Sequence, residues 1–259
     1  MTFDDVLIIK NGKNQRAVEN PDGKYPIYGS GGIMGYADDY ICEADTVIVG
    51  RKGSINNPIF VEEPFWNVDT AFGLVAKREV LLPRYLYYFC RNYDFERLNK
   101  AVTIPSLTKS DLLKIEITLP SLEIQEKIVN KLLKIEEVIQ ARQQQLQKMD
   151  ELVKARFIEL FGDPATNPYG WQQLTVNDVC VSVVRGPFGS ALKKEFFVPP
   201  SNTTYKVYEQ KHAIQKSSTI GTYYVTAEKY NELRRFECHS GDILMSCSGT
   251  MGELYQLPA

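Results

Sequence analysis

The chain has 259 residues, of which 44% are hydrophobic and 24% charged, with a formal net charge of −2. That composition is ordinary for soluble globular protein, and that length leaves room for two domains with real cores. No apolar run approaches the roughly 20 residues needed to cross a bilayer as a helix, and the charge balance excludes the strongly basic domain that announces nucleic acid. Residues 1–105, 106–160 and 161–259 carry −2, 0 and 0, so a nucleic-acid surface is either local or completed by a partner. The start, MTFDDVLIIKNGK, lacks a basic n-region and a cleavage site, and no signal peptide is expected. The five cysteines (Cys42, Cys90, Cys180, Cys238, Cys247) are odd in number and scattered. None forms a C-x-x-C pair, which argues against a zinc site or a disulfide framework and for a reducing cytoplasm.

Residues 3–10 read as a strand or a helix-to-strand entry that ends in the turn Asn11-Gly12. The polar segment after it carries Asp22-Gly23, a hairpin signal. YPIYGSGGIMGY interleaves aromatic residues with glycines and reads as a glycine-rich turn between strands. Residues 46–49, 59–61 and 67–77 are strand candidates, with the turn Gly50-Arg51-Lys52-Gly53-Ser54 after the first. Pro83 suits the first position of a tyrosine-rich helix over 83–100. Thr108 and Asp111 predict a short capped helix, and ITLP (117–120) a short strand. Many short strands with few helices predict an irregular α+β domain rather than a doubly wound sheet.

Residues 121–160 form forty residues without glycine or internal proline. Ile128, Leu132, Ile135, Ile139, Arg142, Leu146, Met149, Val153, Arg156 and Leu160 step by alternating 4 and 3, a 3.5-residue period. That is the seam of a coiled coil. Ser121 is the expected N-cap, and Gly162 followed by Pro164 the stop. At about 1.5 Å per residue the helix spans roughly 60 Å. Two readings stand: an amphipathic helix packed on its own domain, or a spacer between two globular units whose seam needs a second helix.

A loop with Pro164, Pro168 and Gly170 follows, and after it the first segment recurs. VNDVCVSVVRG (176–186) parallels FDDVLIIKNG (3–12), Tyr205 and Tyr208 answer Tyr25 and Tyr28, and Asp242-Ile-Leu-Met-Ser answers Asp45-Thr-Val-Ile-Val. The offset grows from 173 to 174, 180 and 197, as insertions in loops would produce. The second copy ends at the level of about residue 60 of the first, so nothing answers 66–160. A half-domain leaves strand edges open, and the expectation is a shortened form of a longer protein or one completed by a partner.

Chemistry-bearing motifs are few. Gly29-Ser-Gly-Gly-Ile-Met-Gly35 fails as G-x-G-x-x-G because Met34 stands where glycine is required. Asn167-Pro-Tyr-Gly170 resembles the catalytic tetrapeptide of amino-methyltransferases, but no dinucleotide-type sheet surrounds it, and it reads as a turn. His212 and His239 have no cysteine or carboxylate cluster at metal spacing, so neither a metal nor a cofactor is expected. No carboxylate pair stands out as an acid/base couple, and there is no positive case for an enzyme.

The polar loops carry more. Lys10, Lys13 and Arg16 suit phosphates, and Asn14 and Gln15 suit adenine edges. Arg51, Lys52 and Ser54 sit between glycines in a turn that can approach phosphate closely. Tyr28 and Ser30 of the glycine-rich turn join them as DNA-binding candidates. In the second copy Arg185 with GPFGS, Lys193, Lys194, Gln210, Lys211 and His212 fall at comparable points.

Four stretches together resemble the DNA-specificity subunit of Type I restriction–modification systems: FDDVLIIKNGKNQ, YPIYGSGGIMGY, ADTVIVGRKGS and IPSLTKSDLLKIEITLPSLEIQEKIV running into the helix. The last is the most specific, and the FGDP junction before Trp171 also fits. The resemblance implies an α+β fold: a first target-recognition domain over 1–105, a conserved region over 106–162 holding the 121–160 spacer helix, and a second, incomplete recognition domain over 163–259. It implies a cytoplasmic, non-catalytic subunit that reads a bipartite site on double-stranded DNA, docks methyltransferase subunits and accepts a restriction/translocase subunit. It also implies that the 121–160 seam pairs with a second such helix, through self-association where its own chain lacks one. The alternative is a coiled-coil scaffold that binds only protein partners, and a third reading is an enzyme of unrecognised type.

Overall fold

The computed structural model describes residues 1–100, 103–187 and 189–258. The chain divides into two compact units, Met1–Pro164 and Ala165–Ala259. In the first, α1 (Phe3–Val6) leads into β1 (Leu7–Asn11), followed by β2 (Tyr25–Gly29), β3 (Gly32–Ala37), β4 (Thr46–Gly50), β5 (Ile59–Val61), β6 (Trp66–Asn67) and β7 (Ala71–Ala76). Then come α2 (Pro83–Asn92), α3 (Lys109–Leu112) and α4 (Leu122–Phe161). One sheet has the order β1-β7-β4-β5, antiparallel throughout; a smaller one has the order β3-β2-β6, with β2 and β6 parallel.

The residue pattern explains this arrangement. β1 buries Leu7 and Ile9 and exposes Ile8 and Lys10, the alternation of an edge strand with one covered face. β4 is buried at all five positions, because it lies inside the sheet with apolar clusters on both faces. Phe3, Val49, Leu74, Leu86, Phe95 and Leu112 meet in the main core; each such side chain contributes about 1.5–3 kcal/mol when fully buried. Leu86 and Cys90 of α2, four residues apart, face that core.

α4 is fixed to the domain by its first turns alone. Gln125 is fully buried. Its Oε1 accepts from Leu82 N–H at 2.9 Å, and its Nε2 donates to the carbonyls of Val80 and Pro120, both at 2.9 Å. Three turns on, Tyr88 Oη donates to Glu136 at 2.7 Å, and Arg91 pairs with the same carboxylate. From residue 137 to 161 every residue is exposed within this chain. Ile128 and Leu132 are half-buried, whereas Ile135, Ile139, Leu146, Met149, Val153 and Leu160 are 51–69% exposed. The helix therefore packs on its own domain, as the first reading has it, for about four turns, and its remaining residues are exposed within this chain. Ser121 is the N-cap residue, although its carbonyl rather than its side chain receives Ile124 and Gln125 N–H; Gly162 ends the helix at φ 79°.

Four expectations shift. The chain turns at Asp22-Gly23, but the hairpin lies at Ser30-Gly31, where Gly29 pairs with Gly32. The 67–77 strand is divided into β6 and β7 by a turn closed by Ala71 N–H on Val68 O. The 83–100 helix stops at Asn92, because Asp94 caps a new 3-10 turn and Asn56 Oδ1 takes Phe95 N–H at 2.7 Å. Residues 117–120 form no strand: Ile117 bonds Met1 O, a single bridge joins Thr2 to Glu116, and Pro120 has no N–H to offer.

The second unit contains α5 (Val176–Val179), β8 (Thr204–Lys206), α6 (Gln210–Ile214), β9 (Tyr224–Thr226), α7 (Ala227–Glu232), β10 (Ile243–Met245) and β11 (Leu254–Gln256). Its strands form two antiparallel pairs, β8–β9 and β10–β11. The repeat is visible in the details. Thr2 and Asp5 form a capping box before β1, and Thr175 and Asp178 form the same box 173 residues on. The stretch matched to β1, residues 180–184, is exposed and carries no strand. Asn167-Pro-Tyr-Gly170 is a turn closed by Gly170 N–H on Asn167 O. No helix among the described residues is long and apolar enough to cross a membrane.

Replacing Gln125 by Leu leaves Leu82 N–H and two carbonyls, all half-buried, without their side-chain partner. The first unit should lose about 2–4 kcal/mol in urea unfolding; wild-type stability would show that these bonds do not hold α4.

Candidate nucleic-acid interface

Strand register brings three loops of the first unit to one end of its sheet. β1 ends at Asn11, opposite Phe72 at the start of β7. β4 ends at Gly50, opposite Ala71. The segment 10–16 and the turn 50–54 must therefore emerge beside the 67–70 turn. β2 runs parallel to β6 with Tyr28 opposite Asn67, which delivers the Ser30-Gly31 tip to the same place.

The 67–70 turn joins all three through backbone atoms. Lys13 N–H donates to Asn67 O at 2.9 Å, while Trp66 Nε1 donates to Lys13 O at 3.0 Å. Val68 N–H donates to Tyr28 O at 3.0 Å, and the N–H groups of Arg51 and Lys52 donate to Thr70 O at 2.8 and 3.1 Å. On the far side Gly53 N–H bonds Pro105 O and Leu107 N–H bonds Arg51 O. Two glycines are required by this closeness. A Cβ on Gly12 would lie 1.8 Å from Val68 O, and one on Gly50 would lie 2.3 Å from Ser54 O and 3.1 Å from Ser30 Cβ.

The cations on these loops are available. Lys10, Lys13, Arg16, Arg51 and Lys52 are exposed, and none forms an ion pair among the described residues. Arg51 reaches Asp69 O at 3.4 Å and lies 5.9 Å from the Phe72 ring. Ser54 is exposed; Gln15 and Ser30 are half-buried. Asn14 is exposed, but its Oδ1 already accepts Arg16 N–H at 2.9 Å, so its amide first serves the turn. Tyr28 packs edge-on to Phe65, and burial pushes its phenol pKa up. Sequence reasoning missed the 67–70 turn itself, hidden in a strand-like run whose one cue is the polar pair Asp69-Thr70. It also missed exposed Lys109, whose Nζ donates to Ile9 O at 3.0 Å beside the first loop.

Asp111 secures the frame around the 50–54 turn. It accepts from Thr108 Oγ1 at 2.8 Å and Lys100 Nζ at 2.9 Å, and the Lys100 and Thr108 bonds hold its carboxyl below the usual range.

The second unit presents a different picture. Lys193 pairs with Glu195 at 3.4 Å; Lys211 pairs with Glu209 at 2.5 Å and lies over Tyr223. Arg185 and Lys194 are exposed, and Phe188 of the GPFGS stretch lies outside the described residues. Two candidates are corrected. His212 is fully buried: its Nδ1 accepts Glu209 N–H at 2.8 Å and its Nε2 lies 2.8 Å from Ile220 O, so it pins the interior and does not reach a ligand. The Gln210 amide is used by both backbone groups of Ser248. That contact is nevertheless informative. By the offsets of the repeat Gln210 answers Ser30 and Ser248 answers Arg51; in the first unit the corresponding loops lie close enough that a Cβ on Gly50 would come within 3.1 Å of Ser30 Cβ.

Other chemistry has little support. Burial pushes the Cys42 thiol up to about 12 and raises that of Cys90 as well, which keeps both protonated. Among the described residues no group of three His, Cys, Asp or Glu is placed to hold a metal ion.

Residues 1–150 match the family model of the Type I restriction modification DNA specificity domain. A type I specificity subunit of Mycoplasma pneumoniae is 27% identical over 142 residues, covering 52% of this chain and 46% of that protein. A Haemophilus influenzae type I restriction enzyme specificity subunit is 29% identical over 111 residues, covering 41% and 29%. The aligned segments thus span less than half the length of these relatives. The crystal structure of a Type I restriction–modification S subunit from M. genitalium superposes with a TM-score of 0.54 at 19% identity, over 100% of this chain and 68% of that one. A chain from a structure of the type I R-M system gives 0.51 at 19% identity, over 60% and 42%. At those identities the likeness is one of fold.

Gly12→Ala should cost about 2–3 kcal/mol and speed amide exchange at Lys13, because the backbone of residue 68 blocks a Cβ; unchanged exchange there would separate the loop from its anchor. The depressed Asp111 pKa stabilises the first unit above the ordinary value of 3.8 and is lost as pH falls through the lower folded value. Urea midpoints of Asp111→Asn should accordingly show a flatter acid limb than wild type.

Proposed function

This chain belongs to the Type I restriction modification DNA specificity family, and on that premise we propose that the face built on the 67–70 turn reads one half of a bipartite site in double-stranded DNA. The observation that carries the reading is that four exposed, unpaired cations from two loops, with Lys10 near the end of β1, gather around one anchored turn. Lys10, Lys13, Arg16, Arg51 and Lys52 take phosphates; Gln15, Tyr28, Ser30 and Ser54 lie between them, where base edges pass. Loops held through backbone bonds present these groups without the cost of ordering the backbone on binding, leaving the ordering of the side chains themselves.

The domain division follows: residues 1–105 form the target-recognition domain, 106–162 the conserved region with the spacer helix, and 163–259 an incomplete second recognition domain. Arg185, Lys193, Lys194 and Lys211 approach the other half-site, Lys193 and Lys211 after exchanging their glutamates for phosphate. The exposed α4 seam, Ile135, Ile139, Leu146, Met149, Val153 and Leu160, supports pairing with a second helix that spaces the half-sites. Methyltransferase subunits then dock on the assembled protein, a restriction/translocase subunit joins them, and the chain itself performs no chemistry. The complex acts in the cytoplasm.

In a complex assembled with methyltransferase subunits, Lys13→Ala with Arg16→Ala should weaken DNA binding across sequences. It should also make the slope of log affinity against log salt shallower by about 2. Fluorescence anisotropy at several salt concentrations measures both. Unchanged slope and affinity would remove this loop from the interface and favour the protein-only scaffold.

A further inference from the structure

The β2–β3 hairpin carries side chains that the loop face leaves unused. From Tyr25 to Ala37 it has no charged residue, in a chain of which 24% is charged. Its outer strand exposes Ile33 and Met34, at 56% and 61%. In a regular strand successive residues point to opposite faces, and one of this pair would turn inward. The register explains why neither does. Ile27 pairs with Gly35 and Tyr28 with Ile33, so Met34 is the extra residue of a β-bulge. A bulge re-aims the side chains around it.

These side chains lie beside the cations. A Cβ on Gly29 would come 2.6 Å from Met34 Sδ and 3.5 Å from Val68 Cγ2, so the thioether sits over Gly29 next to the 67–70 turn. At the tip, Ser30 Cβ would be 3.1 Å from a Cβ on Gly50, and Ser30 Oγ 3.8 Å from one on Gly53. The end of the hairpin therefore rests on the turn that carries Arg51 and Lys52. Gly31 at that end is bare. A Cβ there meets nothing within 4 Å, and its φ lies outside the left-handed range, so this chain's own packing does not call for glycine.

An uncharged ribbon with apolar side chains beside cations matches one surface of duplex DNA. The major groove admits a two-stranded β-ribbon between its phosphate walls. Its floor is lined by polar base edges and one apolar group, the C5-methyl of thymine. A protein surface that covered Ile33 and Met34 would also have to take Arg51 and Lys52 out of water, whereas the groove offers them phosphates.

We infer that the β2–β3 hairpin enters the major groove and that Ile33 and Met34 form an apolar subsite for the C5-methyl group of a thymine. The inference rests on the DNA reading of this face and adds the base feature that is read. Ile33 and Met34 are specificity-determining residues in this arrangement, and the neighbouring cations are not. Burial of one methyl group against them corresponds to about fourfold in affinity.

The test uses the full chain assembled with methyltransferase subunits. Random duplexes retained by that complex define the site. Deoxyuridine then replaces each thymidine in turn, which removes the C5-methyl group and leaves the pairing edge intact. At one or two positions of one half-site the wild-type complex should lose about fourfold in affinity. That loss should shrink in Ile33→Ser and in Met34→Ser and vanish when both are changed, with the salt slope unchanged. The single variants keep the comparison decisive if the double variant fails to fold. Indifference of the wild type to deoxyuridine throughout would overturn the inference, as would equal losses in wild type and variants. So would release of methyltransferase subunits from the Ile33→Ser complex, which would mark the hairpin as a protein contact. Lys13→Ala with Arg16→Ala separates the two claims. A shallower salt slope there without any deoxyuridine effect removes the methyl subsite alone; an unchanged slope without one removes the DNA reading of the face as well.

Discussion

A single buried amide ties the long helix to the domain that carries the loops. Gln125 is fully enclosed, yet all its polar capacity in use is directed at the backbone, with one bond accepted and two donated. A buried amide left unpaired is expensive, so these bonds tolerate little rotation of the helix about its own axis. Glu136, three turns along, fixes the second point that a direction requires. Two fixed points near one end of a helix of 40 residues define where the other end points relative to the first unit's loops. The free portion then behaves as an extension of the domain rather than as a tether.

The loop face has the same logic on a smaller scale. The 67–70 turn is short and mostly backbone, yet it accepts from or donates to three other segments. None of those loops can move far without breaking a bond to it. The arrangement costs side-chain freedom at Gly12 and Gly50, where a single added carbon collides with backbone. In return the backbone beneath the exposed cations is held in one arrangement by its own bonds.

Sequence reading recovered what periodicity and punctuation specify. The long helix was legible to within a residue at either end, because forty residues share one period and end at glycine. Residues 59–61 and the start at Pro83 were equally plain. The misplaced hairpin shows where local signals compete: Asp22-Gly23 has the stronger turn dipeptide, but the strands that pair flank Ser30-Gly31. The 67–70 turn was illegible because its importance lies in carbonyls, which every residue has. His212 failed for a related reason: a loop position in the repeat says nothing about whether the ring faces solvent or the Ile220 carbonyl.

The clamps on the loop face join backbone to backbone in nearly every case: Lys13 to Asn67, Arg51 and Lys52 to Thr70, Val68 to Tyr28, Gly53 to Pro105. Such bonds are indifferent to what the side chains are. The positions that face outward can therefore be rewritten while the scaffold beneath them keeps its shape, apart from the two glycines. A protein built this way separates the alphabet from the page. Exposed side chains there can change by ordinary point substitution, without the intermediate losing its fold.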